Sequence, residues 1–268
     1  MHYAGVAGMK QGRRVTTVCV AALAALVLAS GCLPAARALS PRQVLARAVD
    51  DLMAHRSYRY TGTSTLKVAG DARLDSTAKF DTRLVRNRTG GLDGHMVVTS
   101  PSYSYETYSV GGWEYTRVQG AGWTRTDKGA AEEGYGMVSS GARKIIARFD
   151  ELVDDVKVDK VTAGSWTISM SMGDRYYQGA AAIAGAPAAA GAARNTEMIL
   201  TIDRKSFTMT GVVMKDARAP NGSAPAVSIV TRGRYGEFNK PVRIAPPPEA
   251  LQATVVSPAD ASPVRQPQ

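Results

Sequence analysis

The chain has 268 residues, a formal net charge of +10, 44% apolar residues and only two cysteines, Cys19 and Cys32. So few thiols exclude a disulfide framework; stability has to come from packing, and the length suits one domain with flanking segments. The basic residues are scattered, which reads as solvated surface, and no nucleic-acid partner is expected.

Lys10, Arg13 and Arg14 make a positive start, and Val15 to Ser30 is uncharged and rich in Ala, Val and Leu. A charged start, an apolar core and small residues at 29–31 are the layout of a secretory signal, not of a fold element. The run is also shorter than the roughly 20 residues a spanning helix needs. Initiation at Met9, directly before Lys10, is expected. Leu28-Ala29-Ser30-Gly31-Cys32 resembles the bacterial lipobox. That resemblance implies cleavage before Cys32, diacylglycerol on its thiol and anchoring at the extracytoplasmic face of the cell membrane; the alternative is an ordinary signal with a chance Cys. Residues 1–31 are then the signal peptide and 32–39 the lipidated tether. Removing 1–31 takes away Lys10, Arg13 and Arg14 and no acid, so the formal charge falls from +10 to +7.

Ser40-Pro41-Arg42-Gln43 has the form of a capping box, with Pro at the first helical position. Leu45, Ala48, Val49, Leu52 and Met53 follow at helical spacing, which predicts an amphipathic helix ending near His55. The period then changes to two. Tyr58, Tyr60, Gly62, Ser64, Leu66 and Val68 share one face, and Arg59, Thr61, Thr63, Thr65 and Lys67 the other, as in a half-exposed antiparallel strand. Strands are also predicted at 78–85, around Met96 and Val98, at 103–110 and at 113–118, the last two joined through Gly111-Gly112 as a hairpin. Ile145, Ile146, Phe149, Leu152 and Val153 predict a second helix near 140–154. Trp166, Ile168, Met170 and Met172 then alternate with serines and a threonine; Met198, Leu200 and Ile202, then Phe207, Met209, Gly211 and Val213, and finally Val227 to Tyr235 continue the strands. Residues 178–193, almost all Ala and Gly, fit either a loose helix or a loop. Residues 249–268 are expected to form a disordered Pro- and Ala-rich tail.

Helix, meander of alternating strands, helix, more strands is an order that resembles the LolA/LppX-like half-barrel lipoproteins. The residues carrying the resemblance are Ser57 to Thr63, Gly111-Gly112-Trp113-Glu114-Tyr115, Ile202-Asp203-Arg204-Lys205-Ser206 and Tyr235 to Val242. It covers roughly 40–248 and implies an α+β, mainly β domain: one curved antiparallel sheet of about seven to nine strands wrapping two or more helices. In the family's carriers the space between them holds acyl chains.

Catalytic patterns are sparse. Past the signal only His55 and His95 remain, in different elements. There is no G-x-S-x-G elbow or P-loop, and no set of N and S ligands for zinc. Asp154-Asp155 and Glu132-Glu133 read as solvated charge. Neither catalytic nor metal-binding residues are assigned, no enzyme activity is expected, and no cofactor is expected beyond diacylglycerol on Cys32. Apolar surface is what remains. Trp166, Ile168, Met170, Met198, Leu200, Ile202, Phe207 and Met209 either fill a core under the helices or line a space that accepts a lipid or other apolar ligand, for which methionine's adaptable shape is suited. Tyr58, Tyr60, Tyr103, Tyr105, Trp113 and Tyr115 fit either an amphipathic rim or ordinary cross-strand pairs. Two functions are therefore expected in competition: a carrier or sensor of an apolar ligand at the cell envelope, or a lipid-anchored adaptor with a solid core that binds an envelope protein.

Overall fold

A computed structural model of the chain describes residues 39–88, 91–127, 148–184, 194–218 and 225–256. The signal, Cys32 and residues 140–147 lie outside the described residues.

The first element is helix α1 (Pro41–Ala54). Its start follows the predicted chemistry: Gln43 N donates to Ser40 Oγ at 3.3 Å and Ser40 N donates to Gln43 Oε1 at 2.9 Å, so two otherwise orphaned amides are satisfied. Val44, Leu45, Ala48, Val49 and Leu52 form its buried stripe.

Strands β1 (Ser57–Val68), β2 (Ser76–Arg86), β3 (Leu92–Thr99), β4 (Ser104–Val110), β5 (Trp113–Val118) and β6 (Trp123–Asp127) run as one antiparallel meander. A short helix α2 (Phe149–Leu152) leads into β7 (Asp154–Val161) and β8 (Ser165–Met172). Helix α3 (Asp174–Ala184), β9 (Arg194–Asp203), β10 (Met209–Arg218), β11 (Val227–Gly236), helix α4 (Pro248–Leu251) and β12 (Thr254–Val255) complete the order. The two meanders join through β1 and β11, giving one open, curved 12-stranded sheet in the order β12-β6-β5-β4-β3-β2-β1-β11-β10-β9-β8-β7. Every pairing is antiparallel except β12 with β6. The fold class is thus the predicted one, with more strands.

Of the strands not anticipated, β7 and β12 are the sheet's edges and β6 is flanked on one side only by the two-residue β12, and such one-sided support leaves the weakest trace in sequence. Asp154-Asp155 opens β7, which Asp155 enters at φ 47° and whose register shifts twice against β8; bulges and charges of this kind protect an edge from further pairing. Residues 249–256, expected in a disordered tail, instead form α4 and β12. Ala250 of α4 is fully buried, Arg125 donates to the Leu251 carbonyl at 3.0 Å, and Val256 N donates to the Arg125 carbonyl at 2.9 Å. Of the ambiguous 178–193 segment, the part up to Ala184 is helical.

Helix α1 packs against β7, β10 and α2. Arg42 fixes the join, donating to the carbonyls of Asp150 and, at 2.9 Å, Val153. A cation is well placed there, because these carbonyls end α2.

Candidate functional site

Strand registers decide which side chains share the face toward α1. Across it run registered neighbours: Ile168 with Leu200, Leu200 with Val212, Val212 with Gly233, Gly233 with Gly62, Gly62 with Phe80, and Phe80 with Val98. The predicted apolar face is part of this side. Trp166 pairs with Ile202, Ile168 with Leu200, Met170 with Met198, and Met209 with Ile202. Seven of the eight thus meet directly across strands, and Phe207 lies at 5.1 Å, ring to ring, from Trp166.

Ile168 and Ile202 are 0% exposed, Met170 and Leu200 2%, and Met209 5%. Trp166, Met198 and Phe207 are half-buried. Arg47 of α1 lies over the Phe207 ring at 5.0 Å and Arg204 over Trp166 at 5.5 Å. Five of the eight residues are therefore buried, Trp166 and Phe207 reach the surface beneath arginines, and Met198 is half-buried. Nearby, Thr196 is 1% exposed; its hydroxyl satisfies itself by donating to Asp216 at 3.0 Å and meeting the Tyr177 hydroxyl at 2.6 Å.

The middle of the same face is different. Gly62 and Gly233 are direct partners, and aromatic rings occupy the room their missing side chains leave. A Cβ on Gly233 would stand 2.2 Å from the Tyr60 ring, and one on Gly62 would stand 2.6 Å from Phe80 and 2.0 Å from the Arg232 carbonyl. Tyr60 stacks on Tyr235 at 4.7 Å and sits 4.9 Å from Phe80. Tyr58 lies 6.0 Å from Tyr235 and 6.5 Å from Phe238, and Phe238 lies 4.4 Å from His55. His55 is held between Asp51 at 3.1 Å and the Asn239 amide at 3.0 Å.

The Tyr58, Tyr60 and Tyr235 hydroxyls have no hydrogen-bond partner among the described residues. Burial pushes Tyr58 and Tyr60 each up to about 12 and raises Tyr235 further. All three remain protonated, and so remain donors, at any physiological pH. Sequence reasoning singled out Tyr58 and Tyr60 but missed the cluster. Its signal was present as mirror spacing, Tyr60-x-Gly62 on one strand and Gly233-x-Tyr235 on another, yet nothing local says that these strands pair.

On the opposite face, His95 Nε2 meets Glu106 Oε1 at 2.9 Å, the Tyr108 hydroxyl donates to the same oxygen at 3.1 Å, and Arg117 donates to Oε2 at 2.8 Å. Burial pushes the Glu106 carboxyl up, but the three hydrogen bonds together outweigh it and hold it low. Both oxygens are thereby occupied. A recess of about 500 Å³ adjoins this group, lined by Val97, Thr99, Ser104, Glu106, Arg117 and Gln119 among others. No cluster of three or more potential metal ligands occurs among the described residues.

No family model and no curated protein matches the sequence. Among solved structures the chain is similar to a DUF1329 family protein from Desulfovibrio piger, at 10% identity and TM-score 0.32, over 76% of this chain and 93% of that one. It is similar to MucB in complex with MucA(peri), at 10% identity and TM-score 0.32, over 81% and 61%. A LolA superfamily protein from Nitrosomonas europaea aligns at 13% identity and TM-score 0.29, over 78% and 96%.

Proposed function

We propose that the chain is an extracytoplasmic binding protein, anchored through diacylglycerol on Cys32, that holds an apolar ligand bearing an oxygen acceptor against the α1-facing side of its sheet. One observation carries this reading: three clustered phenols, half-buried among aromatic rings, offer donors that no described protein group accepts. These residues are half-buried and their hydroxyls are not sealed from solvent, so a ligand oxygen accepting from them would replace water in a largely apolar setting, where a hydrogen bond is electrostatically stronger. An acyl lipid is the matching class. Its ester or phosphate oxygen answers the phenols, and its chain gains about 0.8 kcal/mol per buried methylene along the neighbouring apolar residues. In this reading the protein binds and does not catalyse.

Native mass spectrometry of the chain carrying Cys32→Ser, which removes covalent lipid, tests it. Co-purified lipid is expected, with Tyr60→Phe and Tyr235→Phe each weakening retention because the rings stay and only the donors go. A lipid-free protein would instead favour the adaptor reading. A specific observation supports that second reading: Ile168, Leu200 and Ile202 are at most 2% exposed, so this part of the β8–β9 face offers a ligand little open surface.

A further inference from the structure

The outward face of the three central strands carries a charge pattern of its own. The registers Thr63↔Arg232, Thr61↔Arg234, Thr63↔Lys79 and Arg59↔Arg83 bring Lys67, Lys79, Arg83, Arg232 and Arg234 onto one surface of β11, β1 and β2. All five are exposed. Asp81 is the one carboxylate on the outward face of these strands; it and the adjoining Glu237 are both bonded by Arg59, at 2.6 and 2.9 Å. Arg83 also lies within electrostatic reach of Asp81 and Glu237, whereas Lys67, Lys79, Arg232 and Arg234 form no ion pair among the described residues. Lys79 and Arg232 flank Thr63 two strands apart, or roughly 10 Å at the backbone, and Arg232 and Arg234 stand about 7 Å apart along one strand. Thr61, Thr63, Thr65 and Thr77 present hydroxyls between them. No aromatic residue lies on this face of the three strands, so nothing there stacks on a base or sugar ring. Separated cations with hydroxyls between them, spread over a sheet surface, suit phosphate oxygens arrayed in a plane.

We infer that this face of β11–β1–β2 rests on anionic phospholipid headgroups. The inference builds on the Cys32 anchor: the seven residues 33–39 span at most about 25 Å when extended, so an anchored domain stays within reach of the surface. Each well-placed cation strengthens binding to an anionic surface about fivefold.

The test uses the full chain with Cys32→Ser, sedimented with vesicles of equal parts phosphatidylglycerol and phosphatidylcholine, or of phosphatidylcholine alone. Stronger binding to the anionic vesicles is expected. Arg232→Gln with Arg234→Gln should weaken it roughly 30-fold at low salt, while Arg232→Lys with Arg234→Lys should retain most of it. Lys157→Gln with Lys160→Gln, removing equal charge from β7, should leave it nearly unchanged. Urea midpoints of all variants check that each still folds, since these side chains are exposed. Equal binding to both vesicles, equal loss from the β7 pair, or release by inorganic phosphate beyond that by chloride at matched ionic strength would each overturn the inference. The covalent anchor plays no part in this assay, so its failure leaves the Cys32 reading standing, and failure of that reading is seen separately by membrane fractionation.

Discussion

The Gly62–Gly233 pair permits a quantitative test of how the centre of the sheet is built. At Gly233 the three atoms nearest an added Cβ all belong to the Tyr60 side chain, at 2.2 to 2.5 Å, and that side chain can turn aside at the cost of its stacking. At Gly62 the Cβ meets the Arg232 carbonyl at 2.0 Å and the Gly233 Cα at 2.8 Å, which move only if two strands part. Overpacking costs about 1–3 kcal/mol, lost ring pairs about 0.5–1.5 kcal/mol, and replacing Gly in a strand returns about 0.5–1 kcal/mol. Gly233→Ala should therefore destabilise by about 1.5 kcal/mol, and Gly62→Ala by about 3 kcal/mol or more. In a Tyr60→Ala background the obstacle at Gly233 is gone, so adding Gly233→Ala should be neutral or mildly stabilising, whereas adding Gly62→Ala should remain costly. Equilibrium urea unfolding of the five variants (three single, two double) and the parent, read at constant m-value, measures the coupling. If Gly62→Ala proves milder than Gly233→Ala, or if Tyr60→Ala fails to rescue Gly233→Ala, the reasoning is refuted.

Burial holds the Tyr58 and Tyr60 phenols near 12, above their ordinary value of 10.0; the unfolded chain therefore releases these protons first. Stability from this source should be flat below pH about 10 and fall between about 10 and about 12, and phenolate absorbance in the folded protein should rise later than in urea. Arg42→Ala frees the carbonyls of Asp150 and Val153 and should cost about 1–2 kcal/mol by urea unfolding, with Arg42→Lys recovering part; no change would show that α2 docks without it. Cys32→Ala should move the protein out of the membrane fraction and abolish radiolabelled lipid incorporation, and membrane retention without label in the parent would refute the anchor.

Much of this architecture could be read from residues alone. The capping box at Ser40 and the stripe from Leu45 to Leu52 specify α1 because a helix start and an apolar face are local requirements. Alternation did the same for most strands, and it correctly put Trp166, Ile168 and Met170 on one face with Met198, Leu200 and Ile202. Local pattern failed at β7 and β12, which are the sheet's edges, and at β6, which is covered on one side only by the two-residue β12. It could not say whether those apolar faces meet a helix or a ligand, because both environments favour the same side chains. Only the assembled sheet shows that Ile168 and Ile202 are fully buried while Trp166 and Phe207 stay half-exposed. Packing also paired β1 with β11 across more than 150 positions of sequence. Any alternating strand would satisfy β1's apolar side, so its partner is chosen only when the whole sheet assembles; that pairing sets Gly62 against Gly233, stacks Tyr60 on Tyr235, and gathers the outward arginines and lysines onto one surface.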